Sequence, residues 1–117
     1  MLHQTDHYSV IMLSKNKSLY CYGTGNPYKV MCSVCEVFDR EVSSCDDEIV
    51  LDLHMCDYID SSTIGKLLKL NNILKEKSKK LNMIISEQMS TVLTTSSLNL
   101  LLSYEVFDGT NGFIQTG

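Results

Sequence analysis

Ile49-Val50-Leu51-Asp52-Leu53-His54-Met55-Cys56-Asp57-Tyr58-Ile59-Asp60-Ser61-Ser62-Thr63-Ile64-Gly65 is the stretch on which the fold turns. Its first five residues form a nearly continuous apolar run of strand length, the pattern of a strand lying centrally in a sheet. A polar loop follows. From Ser61 the period changes to that of a helix running to about Lys79, with Ile64, Leu67, Leu68 and Leu74 on the inner face. A strand, a short loop and a helix in this order make the first half of a parallel crossover unit.

The same alternation continues towards the C-terminus. Leu81 to Ser86 (LNMIIS) reads as a strand. Glu87 to Leu102 reads as a third helix, with Met89, Val92, Leu93 and several leucines inward, and Tyr104 to Phe107 as a short closing strand. On the N-terminal side, Tyr8 to Leu13 and Leu19 to Tyr22 are two strands rich in β-branched and aromatic residues. The polar turn Ser14–Lys17 joins them as a hairpin. Gly23-Thr24-Gly25 breaks the pattern, and Asn26-Pro27 opens a helix with Asn as N-cap and Pro in the first helical position. Val30, Val34, Val37, Phe38 and Val42 carry that helix to about Val42, and Ser43–Glu48 is a polar, acidic loop. The element order is β-β-α-β-α-β-α-β, which predicts one α/β domain over residues 1–117. Its mixed sheet of four to five strands is covered by helices, with a core over about 8–107 and tails at 1–7 and 108–117.

Composition bounds the function. The chain has 117 residues, 44% apolar and 21% charged, the balance of a globular domain. A net charge of −4 gives no basic surplus for nucleic acid. Lys75, Lys77, Lys79 and Lys80 form the one basic cluster and read as the solvated end of a helix. No apolar run has the length of a membrane span, and Met1–His7 is polar. The expectation is therefore a cytoplasmic protein with neither nucleic acid nor membrane as partner. The five cysteines are odd in number and sit mostly in apolar patterns. Cys32-Ser33-Val34-Cys35 spells C-x-x-C but falls inside a helix with no second pair, so buried small hydrophobes are expected rather than a redox or metal site.

The chemistry concentrates at residues 57–65. Three hydroxyls and a carboxylate gather where the first amides of a helix have no intrahelical partner. Asp60 or Ser61 can cap that helix, and a serine there can also be a modification site, because a phosphate at a helix N-terminus meets a favourable dipole. Ile49–Leu53 followed by Tyr58-Ile59-Asp60-Ser61-Ser62 resembles the hallmark of the STAS family, a strand ending in Asp-Leu, a loop, then an Asp-Ser-Ser-Gly helix start. Leu81–Ser86, Val92-Leu93 with Ser97-Leu98, Tyr104–Phe107 and the position of Gly23 extend the similarity to most of the chain. Thr63 stands where the family usually has Gly. The resemblance implies an anti-sigma-factor antagonist that is not an enzyme and needs no metal or cofactor. In that reading Ser61 is the phosphate acceptor, with Ser62 and Thr63 as alternatives. Asp57, Asp60, Ser61, Ser62, Thr63 and Ile64 form the partner-binding surface. The implied partners are an anti-sigma factor with serine kinase activity, bound by the unmodified form so that sigma factor is released, and a serine phosphatase. A non-phosphorylated scaffold or a ligand-sensing module is the alternative within the same family.

Other chemistries lack parts. A response-regulator receiver using Asp52 would need an acidic pair after the first strand and a lysine after the last; Leu13–Lys17 and Tyr104–Gly109 supply neither. His54 lies near Cys56 and Ser61, but no third group or G-x-S-x-G elbow accompanies it. Gly23-x-Gly25 lacks the third glycine of a dinucleotide loop.

Overall fold

The computed structural model describes residues 7–40 and 47–111. The expected helix end at Val42, the first part of the Ser43–Glu48 loop, His3 with the rest of the N-terminal segment, and the last six residues of the C-terminal tail lie outside the described residues. Five strands, β1 (Tyr8–Lys15), β2 (Ser18–Gly25), β3 (Glu48–Cys56), β4 (Lys80–Ile85) and β5 (Ser103–Val106), form one sheet in sequential order. The β1–β2 pair is antiparallel and the other pairs are parallel. The helices are α1 (Pro27–Arg40), α2 (Ser61–Glu76) and α3 (Glu87–Thr95), followed by a 3-10 turn at Leu98–Leu100. The α/β class and the order read from the sequence are those of the structure.

Sequential parallel strands joined by right-handed crossovers place every connecting helix on the same face. The core agrees with this. Ile49, Leu51 and Leu53 of β3 and Leu81, Met83 and Ile85 of β4 are buried with Val30, Val34 and Phe38 of α1, Leu67, Leu70 and Leu74 of α2, and Met89 and Leu93 of α3. Met31 and Cys35 join them, so Cys35 is the small hydrophobe expected, while Cys32 is half-buried and neither forms a disulfide. On the opposite face, that of Tyr20, Tyr22, Val50, Asp52, Ile84 and Phe107, no helix lies among the described residues.

Two glycines at the start of α1 are required by close approach. A side chain on Gly23 would meet Val30 Cγ1 at 2.5 Å. Gly25 has φ +81°, and a Cβ there would lie 2.1 Å from the His7 carbonyl oxygen. These contacts account for the G-x-G spacing through packing. The hairpin turns on Asn16 and Lys17, both with positive φ, the two-residue geometry that matches strand twist.

Three boundaries and faces differ from the sequence reading. The helix α2 stops at Glu76, where Ser78 adopts φ 59°. Its buried face is Thr63, Leu67, Leu70 and Leu74, with Ile64 and Leu68 only partly covered. The expected long third helix ends at Thr95: the hydroxyl-rich Thr94-Thr95-Ser96-Ser97 offers weak helix propensity, and Ser97 turns left-handed with φ 60°. Of the leucines beyond, Leu102 is buried but Leu100 and Leu101 stand in solvent.

Candidate functional site

The parallel strands β2, β3 and β4 all deliver a helix N-terminus to one edge of the sheet, the edge at which open α/β sheets bind ligands and partners. Each start is capped by its own sequence. Asn26 Oδ1 accepts from the amides of Tyr28 (3.0 Å) and Lys29 (3.2 Å). Asp60 Oδ1 accepts from the Thr63 amide (2.8 Å), and Ser86 Oγ from the Met89 amide (3.2 Å).

The loop into α2 is tied at both ends. The Asp57 amide donates to the Gly25 carbonyl (2.7 Å), binding the loop to the α1 start, and Ile59 is buried. Between them Tyr58 is thrust outward, 72% exposed. Asp60 has extended backbone geometry (φ −118°, ψ 177°) and turns its carboxylate inward, where it takes the Thr63 hydroxyl (2.8 Å) as well as the amide. Thr63 is 0% exposed. Its hydroxyl is therefore spent inside the fold, which removes Thr63 from the acceptor candidates and from the contact surface. The capping question left open by the sequence resolves to Asp60.

Ser61 and Ser62, the first two residues of α2, are exposed, as is Asp57; Asp60 and Ile64 are half-covered. The structure thus brings Asp57, Asp60, Ser61, Ser62 and Ile64 to one edge. Nothing lies within 4 Å of a side chain built on Gly65, so the next turn of α2 is open as well. Beside this serine pair runs a groove of about 330 Å3 between the β3–α2 loop and α3, lined by Cys56, Tyr58, Ile59, Ser86, Met89 and Val92 among others. Burial, with the charges of Asp57 and Asp52 adding to it, pushes the Cys56 thiol up to about 12. Cys56 is accordingly a neutral thiol, unsuited to nucleophilic attack near neutral pH.

A second constellation, unread in the sequence as a unit, lies on the helix-free face. The β2–β3 register shifts between Tyr22 and Thr24, so β3 carries an extra residue opposite Gly23. The fully buried Asp52 carboxylate accepts the His54 amide freed by that bulge (3.1 Å), and His54 Nδ1 lies 2.5 Å from the same oxygen. The imidazole stacks on Phe107 with centroids 3.7 Å apart and planes 10° off parallel, and Tyr22 tilts against it at 6.1 Å. Burial, then the Asp52 and Cys56 charges, raise the Tyr22 hydroxyl above its usual range. The bulge has a directional consequence. It changes the alternation, turning Met55 to solvent and Cys56 towards the helices. The signal was the spacing Asp-x-His at a strand end, which only the bulge makes meaningful. Asp52 is committed to this internal pair and is not displayed at the edge. No group of three or more His, Cys, Asp and Glu side chains suited to a metal occurs among the described residues.

No protein-family model matches the chain. No curated protein sequence matches it either. Among solved structures it is similar to the NMR structure of the protein TM1081, with a TM-score of 0.68 and 16% sequence identity over 92% of this chain and 87% of that one. At that identity the likeness is one of fold alone: the chain is one α/β domain, with a five-stranded mixed sheet and three α-helices among the described residues.

Proposed function

We propose that the chain is a STAS-type interaction module, an anti-sigma-factor antagonist without enzymatic activity, acting in the cytoplasm with Ser61 as its phosphorylation switch. The observation that carries this reading is the division of labour within Asp60–Thr63. Asp60 and Thr63 bond to each other and hold the helix start, while Ser61 and Ser62 stay exposed close to the outward-turned Tyr58. Capping alone uses Asp60 and leaves the serine pair without a structural task.

In the proposed cycle Ser61 Oγ attacks the γ-phosphorus of ATP bound to the partner kinase, its proton leaves to solvent or a partner base, and ADP departs. The product adds about −1.5 to −2 charges at the N-terminus of α2, where the dipole favours it, so the domain stays folded. An interface closing over that edge meets an unpaired charge instead, a cost of about 2–5 kcal/mol that lowers affinity from tenfold to several thousandfold. A serine phosphatase resets the surface. The unmodified form binds the anti-sigma factor and frees sigma.

The test is phosphopeptide mass spectrometry on residues 41–66 of protein purified from its own cells, paired with binding of Ser61→Ala and Ser61→Glu variants to the candidate kinase-type anti-sigma factor. Phosphate on Ser61, retained binding in S61A and weakened binding in S61E are the expected results. Equal binding by both variants refutes the switch. The groove lined by Cys56, Ile59, Met89 and Val92 favours a second reading, a ligand-sensing module of the same family, which unmodified peptide under every growth condition would bring forward.

A further inference from the structure

The edge of the sheet opposite Ser61 has a composition the switch does not use. Residues 61–80 contain six lysines against one glutamate, in a chain whose net charge is −4. Four of the six, Lys75, Lys77, Lys79 and Lys80, lie at or just past the C-terminal end of α2. The β1–β2 turn adds Lys15 and Lys17 to the same edge, because Ser18, Glu48 and Lys80 are paired in register. The backbone ties these pieces together: the Asp47 amide donates to the Lys17 carbonyl (2.8 Å), and the Lys80 amide to the Asp47 carbonyl (3.1 Å). The acidic groups among the described residues there are Asp47, Glu48 and Glu76, and Glu48 accepts hydrogen bonds from Ser18 and Asn82.

Lysines at a helix C-terminus complement its dipole, and for Lys75 and Lys77 that is explanation enough. It does not account for the leucines beside them. Leu100 is 80% and Leu101 58% exposed, adjacent on the 3-10 turn that enters β5. Leu98 and Leu102 on either side pack into the core and fix the turn, and Asn71 of α2 donates to the Leu101 carbonyl (3.4 Å). Leu101 then shares one depression of about 580 Å3 with Lys75, Lys79, Lys80, Asn71 and Ser103. Two adjacent exposed leucines, one of them sharing a depression with three lysines, make this stretch a candidate interaction surface.

We propose that this edge docks on the surface of an anionic lipid bilayer, Leu100 and Leu101 entering the headgroup–acyl boundary and the lysines lying against lipid phosphates and carboxylates. The contact is peripheral; among the described residues no helix is long and apolar enough to cross a membrane. The depression decides between a bilayer and a partner helix. Its lining is mostly charged and polar, Glu48, Asn71, Asn82 and Ser103 among the lysines, with Leu81 and Leu101 as its apolar members. An amphipathic helix needs an apolar floor for its i, i+3 and i+7 anchors and finds none. Headgroups need cations and hydrogen-bond donors, and Leu100, outside the depression, with Leu101 in its lining yet more than half exposed, presents apolar surface outward as a shallow membrane wedge does. Because α2 has 16 residues, its two ends are about 24 Å apart, which holds Ser61 clear of a docked bilayer. The inference does not depend on the Ser61 reading.

The experiment is co-sedimentation of the full chain with vesicles of phosphatidylcholine alone and of phosphatidylcholine with phosphatidylserine, at low and high salt. Binding is expected only with phosphatidylserine. Each lysine near such a surface contributes about fivefold, so Lys75→Ala/Lys80→Ala should weaken binding roughly 25-fold. Leu100→Ser/Leu101→Ser should abolish sedimentation at the same lipid concentration while leaving the circular dichroism spectrum and thermal midpoint unchanged, since neither side chain is in the core. Failure to bind the anionic vesicles overturns the proposal. So does binding that survives L100S/L101S, which would reduce the contact to general charge attraction. Binding of a soluble acidic, leucine-bearing peptide without vesicle binding overturns it in favour of a protein partner.

Discussion

Replacing Asp60 by alanine removes one carboxylate oxygen that serves two donors of the same residue, the amide and hydroxyl of Thr63, each at 2.8 Å. Loss of the cap costs about 1 kcal/mol. The larger effect is what remains. Thr63 has no exposed surface, so its hydroxyl is stranded in the interior at a further cost of about 1–3 kcal/mol. Asp60→Ala should therefore lose about 2–4 kcal/mol, roughly 8–16 °C in thermal midpoint for a domain of this size. Thr63→Val keeps the shape and the capped amide and should cost about 1 kcal/mol. In the double variant no hydroxyl is left stranded, so the two losses should fail to add by about 1–2 kcal/mol. Urea unfolding of the wild type, both single variants and the double variant measures this cycle. Additivity within about 0.3 kcal/mol, or a loss below about 0.5 kcal/mol for Asp60→Ala, would refute the mutual satisfaction from which we free Ser61 for another role.

Gly25→Ala must move a backbone carbonyl, that of His7, which also accepts the Asn26 amide (2.9 Å), and must hold alanine at φ +81°. Gly23→Ala presses only on the Val30 side chain. We expect Gly25→Ala to cost more than the roughly 1–3 kcal/mol of overpacking at Gly23, and the opposite order in denaturant midpoints would contradict the account of the α1 start. Cys56 predicts an alkaline loss of stability. Its folded thiol is pushed up from 9.0 to about 12, so the unfolded chain releases a proton from pH 9 upward while the folded chain retains it. Below pH 9 the two states bind the proton alike. Stability then falls as pH rises between 9 and 12, by at most about 1.4 kcal/mol per pH unit. Cys56→Ala should shallow that slope in urea titrations, leaving the smaller contribution of Tyr22, which shifts in the same direction. An unchanged slope would remove Cys56 as its source.

Element type was readable wherever local chemistry and hydrophobic period agreed. Asn26-Pro27 marks the α1 start because cap and first-turn preferences act on adjacent residues, and the Asn26 side chain makes the two bonds expected of it. The third helix is shorter than its hydrophobic period predicts, because its leucines keep a helical appearance past Ser96-Ser97, whereas the chain turns there to enter β5. Propensity in that short segment was weaker than the pattern around it. At the candidate site, the gathering of hydroxyls after β3 was visible as composition. The allotment of tasks among them was not, since Asp60 rather than Ser61 caps and Thr63 alone is buried.

What the sequence determined by itself is the order β-β-α-β-α-β-α-β, its strand directions, and the placing of Asp57–Ile64 at a helix start. These follow from periodicity, capping residues and the handedness of crossovers, all local or general rules. Only the tertiary structure decided which side chains are spent and which remain. The bulge opposite Gly23 pairs Asp52 with His54 and reverses the faces of Met55 and Cys56, and the packing of α2 closes over Thr63 while leaving Ser61 in solvent. The packing of Leu98 and Leu102 likewise drives Leu100 and Leu101 outward. Such outcomes depend on where a neighbouring strand or helix lies, and a neighbour brought from tens of residues away leaves no mark on the local pattern.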